Sequence, residues 1–517
     1  MDQVAVDEVA MDGVDRAEVA RDLVAGGEVA RGEVARGEVA RGTDFLQLAA
    51  AAAPARGLAG WLSDALRAAI ADGRLPAGGQ LPAPRTLAAD LGVSRGVVVE
   101  AYRRLTDEGL VGGRRGGGTT VLAQPVRPPR APRRAPRWDG PLPRPRVPAA
   151  AGIDLSPGVP DLSAFPRAAW LRAERAVLTE TSPDDLGYGD PRGHPRLREA
   201  LAPWLARARG PRVTPDEILI VSGVAQAMAL LAQQLRREGT DAIAVEDPGS
   251  RGAVEEFEYW GLRPVPVPVD GDGLRIDALA ASGARAVFLT PAHQFPTGVV
   301  LAPGRRRALL AWAADAELVI EDDYDAEYRY DRAPVPALHA GAPDRIAYAG
   351  STSKSLAPAL RLGWLVPPPR RYEGLVAAKK ASDLGSPTVP QLVLARLLAS
   401  GEYDRHVRLV RARHRARRDA LLGALRAALP AAPVRGVAAG LHLLVSLPDE
   451  RADDVALAEE LRAAGVLVHP LSWHRRRPGP PGLVLGYAAH PPDRLREAAA
   501  TIARVAGASR GGAPATA

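Results

Sequence analysis

The run Gly350-Ser351-Thr352-Ser353-Lys354-Ser355 sets one lysine among hydroxyls, and Arg361 follows seven residues after that lysine. A lysine amine held uncharged is a nucleophile toward aldehydes. Hydroxyls and a guanidinium fork are good donors to a phosphate. Together they suit an aldehyde cofactor with a phosphate handle, and pyridoxal phosphate is the commonest cofactor of that kind. Ser351 and Ser353 would donate to the phosphate, and Arg361 would balance its charge. Most lysines are plain solvated charges, so the run carries weight only through partners elsewhere in the chain.

Those partners lie upstream. The apolar Val319-Ile320 runs into Glu321-Asp322-Asp323-Tyr324-Asp325, a strand that ends in carboxylates. A pyridine nitrogen stays protonated beside a buried anion, and Asp322 is assigned that place. Tyr324 comes two residues later, on the same face of an extended chain, and is placed to donate to a phenolic oxygen. Ile218-Leu219-Ile220-Val221 predicts a strand, Ser222-Gly223 a turn, and Val224 the start of a helix whose amides and dipole favour a phosphate. Residues 187–193, 245–249 and 290–298 also read as loops at strand ends, where folds of parallel strands build sites. His293 lies in the last of these.

From residue 153 to about 508 this order of motifs resembles the fold-type I aminotransferases. The resemblance implies an α/β pyridoxal-phosphate-dependent transferase fold, with a mostly parallel central sheet and a smaller C-terminal lobe. It implies Lys354 as the Schiff-base lysine, Asp322 on the ring nitrogen and Tyr324 on the phenolic oxygen. Ser222, Gly223, Val224, Ser351, Ser353 and Arg361 would form the phosphate cup, with His293 approaching the ring. Two departures bear on activity. The strand at 482–486 lacks the arginine with which many aminotransferases hold a substrate carboxylate. Ser250-Arg251 stands where relatives often have a tyrosine near the cofactor, so Arg251 either binds an anion or faces solvent.

Residues 58–122 read as a separate module. Leu58, Trp61, Leu62, Ala65, Leu66, Ala69 and Ile70 recur at helical spacing. The stretch Leu81 to Arg95 gives a short helix, a turn at Gly92 and Ser94 as N-cap of a helix from Arg95 to about Glu108, which is helix-turn-helix spacing. The basic glycine run at 112–118 predicts a hairpin wing. Gly73-Arg74-Leu75-Pro76, Leu81-Pro82, Arg85 and Leu91-Gly92-Val93-Ser94-Arg95 closely resemble the winged helix-turn-helix of the GntR family. That implies Arg85, Thr86, Ser94 and Arg95 as DNA contacts, with Arg114 and Arg115 in the wing. Gly96 and Val97 stand where relatives often carry further polar residues. A winged α+β head joined to an aminotransferase-like domain is the architecture of the MocR subfamily of GntR-type regulators. The resemblance therefore implies a DNA-binding transcription regulator that senses pyridoxal phosphate or an amino compound. It also implies a homodimer reading paired half-sites of double-stranded DNA. An aminotransferase with an appended DNA-binding head is the alternative, with residual transamination open.

Composition fits. The chain has 517 residues, no cysteine, 67 Lys and Arg against 60 Asp and Glu, and a formal charge of +7. Length allows two domains, and the charge suits a polyanionic partner. The lack of cysteine excludes disulfides and thiolate metal sites and fits a reducing compartment. With no leader or long apolar run, a cytoplasmic location without membrane contact is expected. Residues 1–44 repeat Glu-Val-Ala-Arg-Gly and are expected to be a low-complexity, disordered tail. The head spans 45–122, a Pro/Arg-rich linker 123–152, the large domain 153–508 and a disordered tail 509–517. At about 3 Å per residue such a linker is a semi-rigid tether. The arginine-rich stretch from 399 to Arg418 reads as a helix with a mostly solvated face.

Overall fold

The computed structural model describes residues 57–114, 118–122, 152–325, 327–331, 335–436 and 438–511. The expected N-terminal tail, Arg115 and nearly all of the linker lie outside them. The chain divides into two compact units, with the division falling inside the Pro/Arg-rich stretch.

The first unit contains α1 (Leu58–Ala71), β1 (Gln80–Leu81), α2 (Pro84–Leu91), α3 (Arg95–Asp107), β2 (Val111–Arg114) and β3 (Gly118–Val121). The apolar stripe of α1 buries Leu62, Leu66, Ala69 and Ile70 against Leu87, Leu91, Val98, Ala101 and Leu105. Burial of that set is what holds three short helices together, since none would be stable alone. Gly92 closes α2 in the left-handed region at φ 64°, where a β-carbon is disfavoured. Ser94 takes the N-cap position of α3 as expected, but its side chain makes no capping hydrogen bond. The wing is an antiparallel sheet in the order β1, β3, β2.

The second unit is built on an eight-stranded sheet. Its order across the sheet is Leu219–Val221, Gly363–Val366, Ile346–Ser351, Leu318–Asp323, Ala286–Leu289, Ala242–Asp247, Arg263–Asp270 and Gly273–Leu274. The five strands from Ile346–Ser351 to Arg263–Asp270 run parallel, while Gly363–Val366 and Gly273–Leu274 run antiparallel to their neighbours. Parallel strands buried on both faces need continuous apolar sequence, and Leu318, Val319 and Ile320 are each fully buried. Helices cover both faces. The C-terminal lobe has its own antiparallel sheet of Val434–Arg435, His442–Ser446, Gly482–Gly486 and His469–Pro470. A separate core there packs Leu443, Leu485, Tyr487, Leu495 and Ile502 together.

Two differences from the sequence reading concern ends and faces. The last helix, Pro492–Gly511, runs past residue 508 into the stretch expected as tail. Arg417, read as part of a solvated face, is buried with its guanidinium 2.9 Å from Asp161. Helical periodicity cannot report a carboxylate brought over the helix by a distant loop. No described helix is long and apolar enough to cross a membrane.

Candidate functional site

Strand register brings the expected residues together. Ser351 lies opposite Gly363, and Gly363 opposite Val221, so the Ser351 end of one strand and the Ser222 turn meet across a single intervening strand. Asp322 pairs with Ala349 one strand further in. All these ends open on the same edge of the sheet.

Gly223 sits at φ 86° at the N-terminus of the helix Val224–Arg237, which no side chain caps. That leaves its first amides and dipole to an external anion. Arg361 reaches over this turn and donates to the Ser222 carbonyl. It does so from a left-handed backbone at φ 49°, a strained conformation for arginine that aims the guanidinium at the turn. Close packing enforces glycine here: a β-carbon on Gly363 would fall 2.9 Å from Gly223 Cα. Ser351 is buried and its Oγ accepts from the Ser353 amide at 3.3 Å.

Lys354 donates from Nζ to the Gly158 carbonyl at 2.8 Å. Its main chain is fixed by the Tyr328 hydroxyl on the Lys354 carbonyl at 3.0 Å and by His406 on the Ser355 carbonyl at 2.8 Å. Sequence reasoning missed Gly158, Tyr328 and His406. Gly158 has φ 78°, and a β-carbon there would come 3.3 Å from the lysine nitrogen.

Asp322 Oδ1 is shut off from solvent and has no hydrogen-bond partner. Burial pushes its carboxyl up to about 8, the neighbouring Asp323 adds to this, and the Lys354 charge opposes it. Asp323 points elsewhere, into a buried pair with Arg209 and the Tyr348 hydroxyl at 2.7 Å. Within the acidic run, Asp322 therefore keeps an unsatisfied oxygen, in the field of Lys354. Tyr324 lies in a bend just beyond the strand, which ends at Asp323. Its hydroxyl is 3.0 Å from His293 Nδ1, and that nitrogen is 2.9 Å from Asp325. Burial raises the Tyr324 phenol well above its ordinary value. Glu246, next to last in the strand Ala242–Asp247 two strands away, takes hydrogen bonds from the Thr290 amide and hydroxyl, and is pushed up to about 7 by burial. Its strand-end position was the available signal, but a single glutamate there did not stand out.

The two departures have the following surroundings. Arg251 pairs with Glu255 at 2.6 Å on its own helix. The strand Gly482–Gly486 is apolar and buried along its whole length.

In the first unit, Arg85 and Thr86 at the start of α2 and Ser94, Arg95 and Gly96 at the start of α3 are all exposed. They form the polar entrance of two helices whose apolar faces are committed to the core. Arg114 ends β2 at the wing turn.

Comparison with known proteins settles the family. Residues 59–121 match the model for bacterial regulatory proteins of the gntR family, and residues 150–502 match aminotransferase class I and II. The chain belongs to the MocR-type GntR regulators. It is 32% identical to the probable rhizopine catabolism regulatory protein MocR of Rhizobium meliloti, over 84% of this chain and 91% of that one. It is 34% identical to the pyridoxine biosynthesis transcriptional regulator PdxR of Corynebacterium glutamicum, over 85% and 94%. Among solved structures, the α-aminoadipate aminotransferase LysN of Thermus thermophilus, complexed with N-(5'-phosphopyridoxyl)-L-leucine, superposes with a TM-score of 0.63. That match has 26% identity and covers 70% of this chain and 93% of LysN. As a MocR-type regulator, the chain carries a DNA-binding head and a domain whose fold implies dependence on pyridoxal phosphate.

Proposed function

We propose that this regulator binds pyridoxal phosphate at Lys354 and uses its occupancy to set how the winged heads engage DNA. The observation that carries this is the orphaned Asp322 Oδ1, buried within the field of Lys354. A buried acceptor without a partner is costly and is met by a ligand that brings a donor. The protonated ring nitrogen of pyridoxal phosphate is such a donor. The phosphate would rest on Ser222, Gly223 and the start of the Val224 helix, with Ser351, Ser353 and Arg361 beside it. His293 and Tyr324 would lie toward the phenolic oxygen.

The cofactor, when bound, supplies an aldehyde that combines reversibly with amines. The remaining work belongs to the chain. Gly158, Tyr328 and His406 hold the lysine in place. Asp322 holds a proton at its own oxygen or shares one with the ring nitrogen. The buried apolar strand Gly482–Gly486 and the pairing of Arg251 with Glu255 supply no cation for a substrate carboxylate, which favours the cofactor itself over an amino acid as the sensed molecule. An amino-compound effector remains the second candidate ligand.

In the head, we assign Arg85 and Arg95 to bases or their adjacent phosphates, Thr86 and Ser94 to phosphates, and Arg114 and Arg115 to the wing's DNA contacts. The uncapped Ser94 side chain supports a phosphate role, since its hydroxyl is not spent on its own helix. Exposed Leu171 and Leu178, seven residues apart on the helix Arg167–Glu180, support a homodimer, with its two heads on paired half-sites in the cytoplasm.

An absorbance titration with pyridoxal phosphate, repeated on Lys354→Ala, tests the cofactor reading. A mobility shift on the DNA upstream of its own gene, with and without cofactor, tests the regulation. A lysine-dependent visible band and cofactor-dependent DNA affinity are expected. A band lost on amino-donor turnover, with no DNA binding, would instead support the transaminase.

A further inference from the structure

Behind Tyr324 lies a buried polar group that neither the phosphate cup nor the lysine uses. His293 and Asp325 are each 1% exposed. Their chain positions differ: His293 comes from the loop after Ala286–Leu289, Asp325 from the bend after Leu318–Asp323. His293 Nδ1 stands 3.0 Å from the Tyr324 hydroxyl and 2.9 Å from Asp325 Oδ2, so both groups converge on one nitrogen, and the Asp325 carboxylate helps hold the Tyr324 phenol above its ordinary value.

The imidazole is locked in place. A β-carbon on Gly440 would meet its ring at 1.9 Å, and one on Gly298 would lie 3.3 Å from its Nε2. On its other side the His442 ring stands 5.0 Å away, itself held through Nε2 to the Pro296 carbonyl at 3.1 Å. The C-terminal lobe, through Gly440 and His442, thus fixes a histidine of the large sheet. An imidazole nitrogen holds at most one proton. With a carboxylate in reach, His293 Nδ1–H donates to Asp325 and the Tyr324 hydroxyl turns toward the same carboxylate, while His293 Nε2 has no hydrogen-bond partner.

We propose that Asp325, held by His293, competes with the cofactor for the Tyr324 hydroxyl proton, and that the pair are positioning residues which tune the proton on the Lys354 linkage. This rests on the cofactor reading above. When bound, the cofactor would supply a phenolic oxygen able to share a proton with the nitrogen joined to Lys354. A donor on that oxygen weakens its hold, so stronger donation by Tyr324 lowers the pH at which the linkage loses its proton. Asp325 draws the hydroxyl away and keeps that pH up. The other titratable groups facing this cluster are Asp322 and Glu246 from the large sheet, His442 from the C-terminal lobe, and Glu327, Tyr328, Tyr330 and Tyr487, all four of which feel the Asp325 charge.

The test is a double-mutant cycle read on the pH midpoint of the visible band in cofactor-loaded, full-length protein. Asp325→Asn weakens the rival acceptor and is expected to lower the midpoint by about one unit. In a Tyr324→Phe background the same substitution should shift it by less than half as much. An equal shift in both backgrounds means that Asp325 acts only as a charge through space and overturns the proposal, as does no shift at all. Asp325→Glu, which keeps the charge but displaces the acceptor, serves where the first variant fails to fold, with the same dependence on Tyr324. The ligand atoms of His293, Asp325 and His442 also lie within 4.8 Å of one another, the spacing of a cation site. A wild-type midpoint that follows added zinc would overturn the relay in favour of a metal centre. Absence of any lysine-dependent band in wild type would sink the cofactor reading itself. A band with an additive cycle would sink the relay alone.

Discussion

Asp322 shows how far one side chain can be argued from physics. Its carboxyl goes from 3.8 to about 8 on folding, because burial disfavours the charge. A carboxyl whose pKa rises on folding binds its proton more tightly in the native chain, so cofactor-free protein loses stability as pH rises between about 4 and about 8. Glu246, Glu321 and Glu327, each pushed up to about 7 by burial, act in the same direction. Melting temperatures of stripped protein across this range should fall, and Asp322→Asn should flatten part of the slope while weakening cofactor retention. At the DNA end, Arg95→Ala should cost about 1–3 kcal/mol of operator affinity if the side chain reads a base. Competitive binding on operator and scrambled DNA checks this, and the visible band should be untouched.

At the scale of elements, the proposed phosphate cup is a matter of backbones in contact. Gly363 lies between Gly223 and Gly350, and an added methyl would fall 2.9 Å from both Gly223 Cα and the Gly350 carbonyl. Gly363→Ala should therefore push the Ser222 turn outward and weaken cofactor binding by ten-fold or more, on the order of 1.4 kcal/mol, as the absorbance titration would show. In the head, Leu105 of α3 is fully buried against α1 and α2. Leu105→Ala should remove about 2–5 kcal/mol from that small core. Loss of operator binding with a normal visible band would show that the damage stays in the head.

For the whole molecule, regulation requires two states that the ligand and DNA bind unequally. The proposed dimer supplies the frame, and Leu171 and Leu178 leave 64% and 57% of their surfaces exposed on one chain. Leu171→Glu with Leu178→Glu should yield monomers by sedimentation. Paired half-site binding should fall with them, because linked heads gain from effective concentration.

Much of this was legible from residue order alone. Lys354, Asp322, Tyr324 and the Ser222-Gly223 turn announce themselves because strand-end chemistry concentrates unusual residue types in short runs. The three helices and wing of the head follow from apolar spacing, Gly92 and Ser94, all of which are local signals. The tertiary structure decided which member of the acidic run keeps an unsatisfied oxygen, since Asp323 is claimed by Arg209 and Tyr348 from other elements. It also decided that Arg251 pairs with Glu255 at the surface, that Arg417 is buried on Asp161, and that His293 is wedged by Gly440 of the C-terminal lobe. Each of these depends on a partner's direction and burial. Such properties arise only when distant segments pack, so residue types and spacing determined the kind of chemistry, and packing determined which residues are free to perform it.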